Sequence, residues 1–131
     1  AIADVRSCFY VHQKEIVLAG FSSGGGLAYK MATADAATFA GVLIENSSLS
    51  SVVGSGNVDA VLSAAAWKLH IGHTARIGDD FYPIAGVQAD WTKMLNHGFP
   101  LQSRELPGEH GDTATDWDGF LIPMMATWAA P

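Results

Sequence analysis

The chain has 131 residues, 49% hydrophobic and 15% charged, with seven basic against thirteen acidic side chains and a net charge of −6. That is one domain (1–131) with a core of useful size, and it excludes a disordered tail, which needs low hydrophobicity and high charge. The acidic balance speaks against nucleic-acid and anionic-lipid partners, which need a basic face, and the single Cys8 excludes an intramolecular disulfide.

No apolar run reaches the ~18 residues of a membrane-spanning helix. The first residues, Ala1-Ile2-Ala3-Asp4-Val5-Arg6, lack the basic-then-apolar order of a signal peptide, and the compartment stays open. Glu15-Ile16-Val17-Leu18-Ala19-Gly20 is a short apolar run that reads as a strand buried on both faces, as in parallel sheets. A Gly- and Ser-rich turn follows, then a helix from about Gly25 to Ala34. Phe39 to Glu45 reads as a second strand, Asn46 to Gly56 as a loop, and about Asn57 to Ala65 as a short helix. Ala66 to Ile71 reads as a third strand. Pro83 to Gly98 holds an amphipathic helix with Val87, Trp91, Met94 and Leu95 on one face. Gln102 to Leu106 is a more exposed fourth strand, and Trp117 to Trp128 a closing helix. Strands alternating with helices predict a three-layer α/β fold with a parallel sheet of about four strands. In such sheets ligands gather at the carboxyl ends of the strands.

Three loops at those ends carry chemistry. After the first strand stands Gly20-Phe21-Ser22-Ser23-Gly24, a G-x-S-x-G sequence between a strand and a helix. That context makes Ser22 a candidate nucleophile on a strained turn, where side chains at positions 20 and 24 would collide with neighbours. The Ser23 N–H, at the helix start, would meet an oxyanion. A plain small-residue turn, or a phosphate cradle at Gly24-Gly25-Gly26, is the competing reading. G-x-G-x-x-G is absent, however, and no Lys stands at the P-loop position. After the third strand, Asp79 and Asp80 are candidate acids to orient a histidine, although Asp near a helix start is common. After the fourth strand, His110 stands in the Gly-flanked loop Leu106-Pro107-Gly108-Glu109-His110-Gly111. Alone, the aspartates and His110 are ordinary loop residues. The chain order Ser, Asp, His, each past a strand, is the order of α/β-hydrolases.

From Glu15 onward the chain resembles the second half of the α/β-hydrolase family, and most of all carboxylesterases of the polyhydroxybutyrate depolymerase and feruloyl esterase type. The matching pieces are Gly20-Phe21-Ser22-Ser23-Gly24-Gly25, Asp79-Asp80-Phe81-Tyr82-Pro83 and Leu106-Pro107-Gly108-Glu109-His110-Gly111. The family's D-x-x-x-P acid loop puts the acid on Asp79. Aligning His73-Thr74-Ala75-Arg76 with a family H-G-T-A-D would put Arg76 there, and an arginine cannot act as the acid. The resemblance implies a truncated, or minimal, α/β-hydrolase fold and a serine esterase for short-chain or aromatic esters. Its residues would be Ser22, His110 and Asp79, with Ser23 as oxyanion donor and no cofactor. Phe21 and Tyr82, beside them, are candidates to line an acyl or alcohol pocket. A non-catalytic half-hydrolase domain that binds a partner or small molecule is the alternative.

The family carries further strands before the elbow and a His-Gly loop that gives a second oxyanion N–H. Here no His-Gly-Gly precedes Ser22. A fragment, a minimal enzyme and one piece of a two-chain protein all fit. Without its usual neighbour, the run Ile16-Val17-Leu18-Ala19 becomes an exposed apolar edge, with Arg6 to Lys14 a short and partly polar cover. Edges of this kind pair, so a homodimer or larger homo-oligomer is expected.

The other histidines and aromatics have plainer expectations. His12 and His97 are taken as solvated, and Trp67 and Trp91 as core or sheet cover. His70, His73 and His110 could together suggest a metal, but no H-E-x-x-H or Cys/His pairing supports one, so no metal is assigned. Asp112, Asp116 and Asp118 read as a solvated helix start.

Overall fold

The structure, a computed structural model, describes residues 1–8 and 16–128. His12 and the run up to Lys14 fall outside the described residues. A short helix α1 (Ile2–Cys8) comes first, then β1 (Val17–Phe21), α2 (Ser23–Ala34) and β2 (Gly41–Glu45). After these come α3 (Ser50–Val53), a 3₁₀ turn (Ser55–Asn57) and α4 (Val58–Ala64). Next are β3 (His70–Arg76), α5 (Ile84–Asn96) and β4 (Leu101–Leu106). A π-helical turn (Trp117–Leu121) running into α6 (Ile122–Ala126) closes the described chain. Among the described residues no helix is long and apolar enough to cross a membrane.

The four strands form one parallel sheet in the order β1-β2-β3-β4. Alternation along the strands separates two cores. Val42, Ile44, Ile71 and Ala75 point to the side covered by α2, α4 and α5, where Tyr29, Leu62, Val87, Trp91 and Met94 are buried. Leu43 points to the other side, under Leu121 and Met124 of the C-terminal segment. Helices on both faces of the sheet make the three layers that the alternating pattern predicts.

β1 lies at one edge, so its burial is partial rather than the two-faced burial its apolar sequence predicts. β2, between two neighbours, is buried throughout. β3 departs most from the sequence reading. The expected strand Ala66–Ile71 is displaced to His70–Arg76, and Trp67, left in the irregular segment before it, is 58% exposed. Gly72 and the polar residues after it resemble a loop in sequence. In the fold Gly72 lies flat beneath Leu43 and Met124, and His73, Thr74 and Arg76 are buried. On α5, Val87, Trp91 and Met94 face inward with Asp90, whereas Leu95 turns out and is 57% exposed. One residue is a 100° step around a helix, enough to leave the buried face.

Candidate active site

The carboxyl ends of β1, β3 and β4 bring Ser22, Asp79 and His110 together. β1 runs straight into α2, and the one residue between them, Ser22, has φ 55° and ψ −129°. Backbone in that region is strained for a residue with a Cβ and survives where surrounding structure dictates it. Two glycines permit the turn. A methyl on Gly20 would strike the Gly24 carbonyl, and one on Gly25 would lie 2.7 Å from Ser47 Cβ. Gly24 itself faces open space, contrary to the expectation of a collision there. The crowding comes from its backbone, which limits position 20, while the close approach to β2's loop falls on Gly25.

His110 joins the other two. Its Nε2 lies 3.0 Å from Ser22 Oγ, and its Nδ1 lies 2.7 Å from Asp79 Oδ2. Asp79 is 4% exposed, and its other oxygen accepts the main-chain N–H groups of Phe81, at 2.8 Å, and Tyr82, at 3.0 Å. Both carboxylate oxygens are therefore engaged, which fixes the plane presented to the imidazole. Asp80 is exposed and takes no such place. The loops are also joined through main chain, Ile77 N–H donating to Leu106 O and Gly78 N–H to Gly108 O.

Ser23 begins the twelve-residue α2. Main-chain N–H groups in a helix's first turn lack intrahelical acceptors, and the helix dipole favours negative charge there. The Ser23 N–H is thus suited to an oxyanion beside Ser22. Phe21 and Tyr82 both flank the histidine, with ring centroids 4.9 Å and 5.5 Å from that of His110. Phe81, to which the sequence reading gives no role, stands at 4.9 Å and is 76% exposed. Its signal is its place between the acid and Tyr82.

His70 and His73 do not join this site. His70 opens β3 and stacks on Trp128 at the far end of the sheet. There a cavity of about 470 Å³, lined in part by Phe39, Trp67, His70 and Trp128, opens away from Ser22. His73 is fully buried in mid-strand, where the Trp91 indole N–H donates to its Nδ1 at 2.7 Å and the Tyr29 hydroxyl meets the same atom at 2.8 Å. An indole only donates, so the neutral ring carries its proton on Nε2. Burial lowers the His73 pKa from 6.5 to about 3 and keeps it neutral. His97 is also not free in solvent, since its Nε2 contacts Asp59 Oδ1 at 3.0 Å.

Behind the site lies a buried ionic cluster where the sequence reading expects surface. Asp116 is fully buried and accepts from Arg76 Nη2 at 2.6 Å. Glu45, at the end of β2, is 2% exposed. Burial, and then the charge of Asp116, raise its pKa from 4.5 to about 7, against the smaller pulls of Trp117 and Arg76. Asp116 reads as part of a solvated helix start because acidic residues crowd residues 112–118. Its buried partner, Arg76, lies forty positions earlier.

No protein-family model matches the chain, and no curated protein matches it in sequence. Solved structures do. SOBER1 of Arabidopsis thaliana superposes with a TM-score of 0.73 at 15% identity, over 98% of this chain and 60% of that one. A ferulic acid esterase gives 0.71 at 17% identity, covering 98% and 58%. Esterase PE8 gives 0.65 at 19% identity, covering 95% and 54%. The chain thus spans between about half and three fifths of the length of these neighbours. At such identities the likeness speaks for architecture, and the architecture is that of an α/β-hydrolase, here with a four-stranded sheet and with esterases among its structural neighbours.

Proposed function

We propose that the chain carries the catalytic site of a serine carboxylic ester hydrolase acting on short-chain or aromatic esters. The observation that supports this most is the continuous hydrogen-bonded line from Ser22 Oγ through His110 to Asp79, with links of 3.0 and 2.7 Å. In this reading Ser22 Oγ attacks the ester carbonyl carbon while its proton passes to His110 Nε2. Asp79 holds the imidazole with its proton on Nδ1 and stabilises the imidazolium. The carbonyl oxygen, now negative, is met by the Ser23 N–H. Collapse breaks the ester C–O bond, and the alcohol leaves with the proton from His110. Water, deprotonated by the same imidazole, then releases the acid and restores Ser22. No cofactor takes part in these steps. The rings of Phe21, Phe81 and Tyr82 form an apolar rim for the acyl or alcohol part.

The test is turnover of a short-chain chromogenic ester, together with labelling by a fluorophosphonate probe. Wild type should hydrolyse and label, and Ser22→Ala should do neither. Equal rates for the two proteins would sink the proposal.

A specific observation keeps the binding-domain alternative in play: Ser23 is the one oxyanion donor these residues assign, and loss of a donor typically lowers rates about 10²–10³-fold. A protein that folds but resists the probe would favour it. Assembly bears on the same point. The β1 edge adjoins the elbow, and Leu27 and Met31 of the following helix are 52% and 49% exposed. We propose that a second copy pairs along this edge, and light scattering at micromolar concentration that finds only monomer would refute it.

A further inference from the structure

The geometry points to Asn46 as the positioning residue for His110, an inference that rests on the serine-hydrolase reading of the site. Asn46 directly follows β2 and is 1% exposed. Its Nδ2 donates to the main-chain carbonyl of His110 at 2.8 Å, across sixty-four positions of sequence. Its own N–H donates to Thr74 O at 2.9 Å. The residue is therefore fixed to both central strands and reaches from them to the histidine's backbone.

The loop carrying His110 needs such a hold. It is tied at its start by Ile77 and Gly78 and at its end by the Arg76–Asp116 pair. Between these anchors, Glu109 N–H turns inward to Asp112 Oδ2, a bond within the loop itself. The Asn46 amide is the sheet's hydrogen bond to the main chain of His110. The imidazole must meet Ser22 and Asp79 at once, and displacement of a catalytic group by about 1 Å is enough to cost on the order of 10²-fold in rate.

Two further facts fit a positioning role better than simple packing. Asn46 has φ 46°, and among the described residues the other non-glycine with positive φ is the nucleophile Ser22. Asparagine tolerates this left-handed region better than most residues. Its Oδ1 is buried without a protein hydrogen-bond partner among the described residues. The amide's donor is thus the group directed at the His110 loop.

Two variants separate the roles. Asn46→Asp keeps shape and backbone preference but puts an acceptor opposite the His110 carbonyl. Asn46→Gly accepts the positive φ and removes only the amide, so it carries the test if the aspartate variant does not fold. Both should lower kcat about 10–100-fold with KM within about twofold. Ring ¹⁵N shifts should show a single Nδ1–H tautomer of His110 in wild type and a mixture in the variants. Wild-type kcat in both variants, or a tautomer unchanged in both, overturns the inference. The tautomer reading needs no turnover. A wild type that neither hydrolyses nor labels would therefore defeat the esterase proposal while the role of Asn46 was still decided.

Discussion

The main-chain N–H of Ser22 donates to the carbonyl of Glu45 at 3.0 Å, which carries the β1–β2 ladder one step past its last register pair, Phe21 with Glu45. The strained turn at Ser22 is thus closed by the residue whose own carboxyl is buried beside Asp116.

That carboxyl makes stability depend on pH. Glu45 has a folded pKa of about 7 against 4.5, so the native state holds its proton more tightly than the unfolded chain. Its contribution is full below pH 4.5 and is lost as pH rises through about 7, amounting to roughly 3 kcal/mol. His73 acts oppositely. With its pKa lowered from 6.5 to about 3, its contribution is full above 6.5 and disappears as pH falls toward 3. The two oppose one another between 4.5 and 6.5, and above 6.5 Glu45 alone remains. Thermal melts should show wild type losing stability from pH 6.5 to 8, and Glu45→Gln, which imitates the protonated acid, losing much less. Parallel curves for the two proteins would contradict this account.

Which acid serves His110 can be read kinetically. Asp79→Asn keeps the shape but no longer enforces the Nδ1–H tautomer or the charge, and kcat should fall on the order of 10³–10⁴-fold. Asp80→Asn, at an exposed position, should stay within about twofold. Ester turnover by both variants, corrected for the fraction labelled in wild type, checks the assignment. A large effect at Asp80 would reverse it.

The elbow glycines should separate sharply. Gly24 has open space, so Gly24→Ala should hold or raise stability by up to about 1 kcal/mol through helix propensity. At Gly25 the new methyl would meet Ser47 Cβ at 2.7 Å and the Gly20 carbonyl at 3.0 Å. Overpacking there should cost about 1–3 kcal/mol and push α2, with Ser22 and Ser23, out of line. Denaturant melts with probe labelling would show both effects, and equal behaviour of the two alanines would count against the packing described.

How much is legible in the sequence follows from how local each cause is. The turn at Ser22 can be read because strand, serine and helix are contiguous, with Gly20 and Gly25 where the backbone needs them. Alternation of elements gives the layers. Asn46 and Phe81 escape a sequence reading for a different reason: one looks like the first residue of a Ser-rich loop, the other like a neighbour of Tyr82, and both meet a histidine many residues away. β3 slips by four residues because buried polar side chains imitate a loop until their partners are known. The Nδ1 of His73 is met by Trp91 from α5 and Tyr29 from α2, and nothing in the local sequence announces either.

The Arg76–Asp116 pair offers the most severe test of that buried polar layer. Arg76 is 5% exposed and Asp116 is fully buried, with 2.6 Å between them. Asp116→Ala would leave the guanidinium buried without its carboxylate, and breaking such pairs from one side costs about 3–5 kcal/mol. Much of that loss is the penalty of a stranded charge, so adding Arg76→Met should recover most of it, a coupling that a double-mutant cycle measures directly. The same change removes the Asp116 charge, second only to burial in raising Glu45. The double variant should therefore also lose less stability between pH 6.5 and 8 than wild type. Additive losses, with the pH slope untouched, would mean that the three side chains do not act as one cluster.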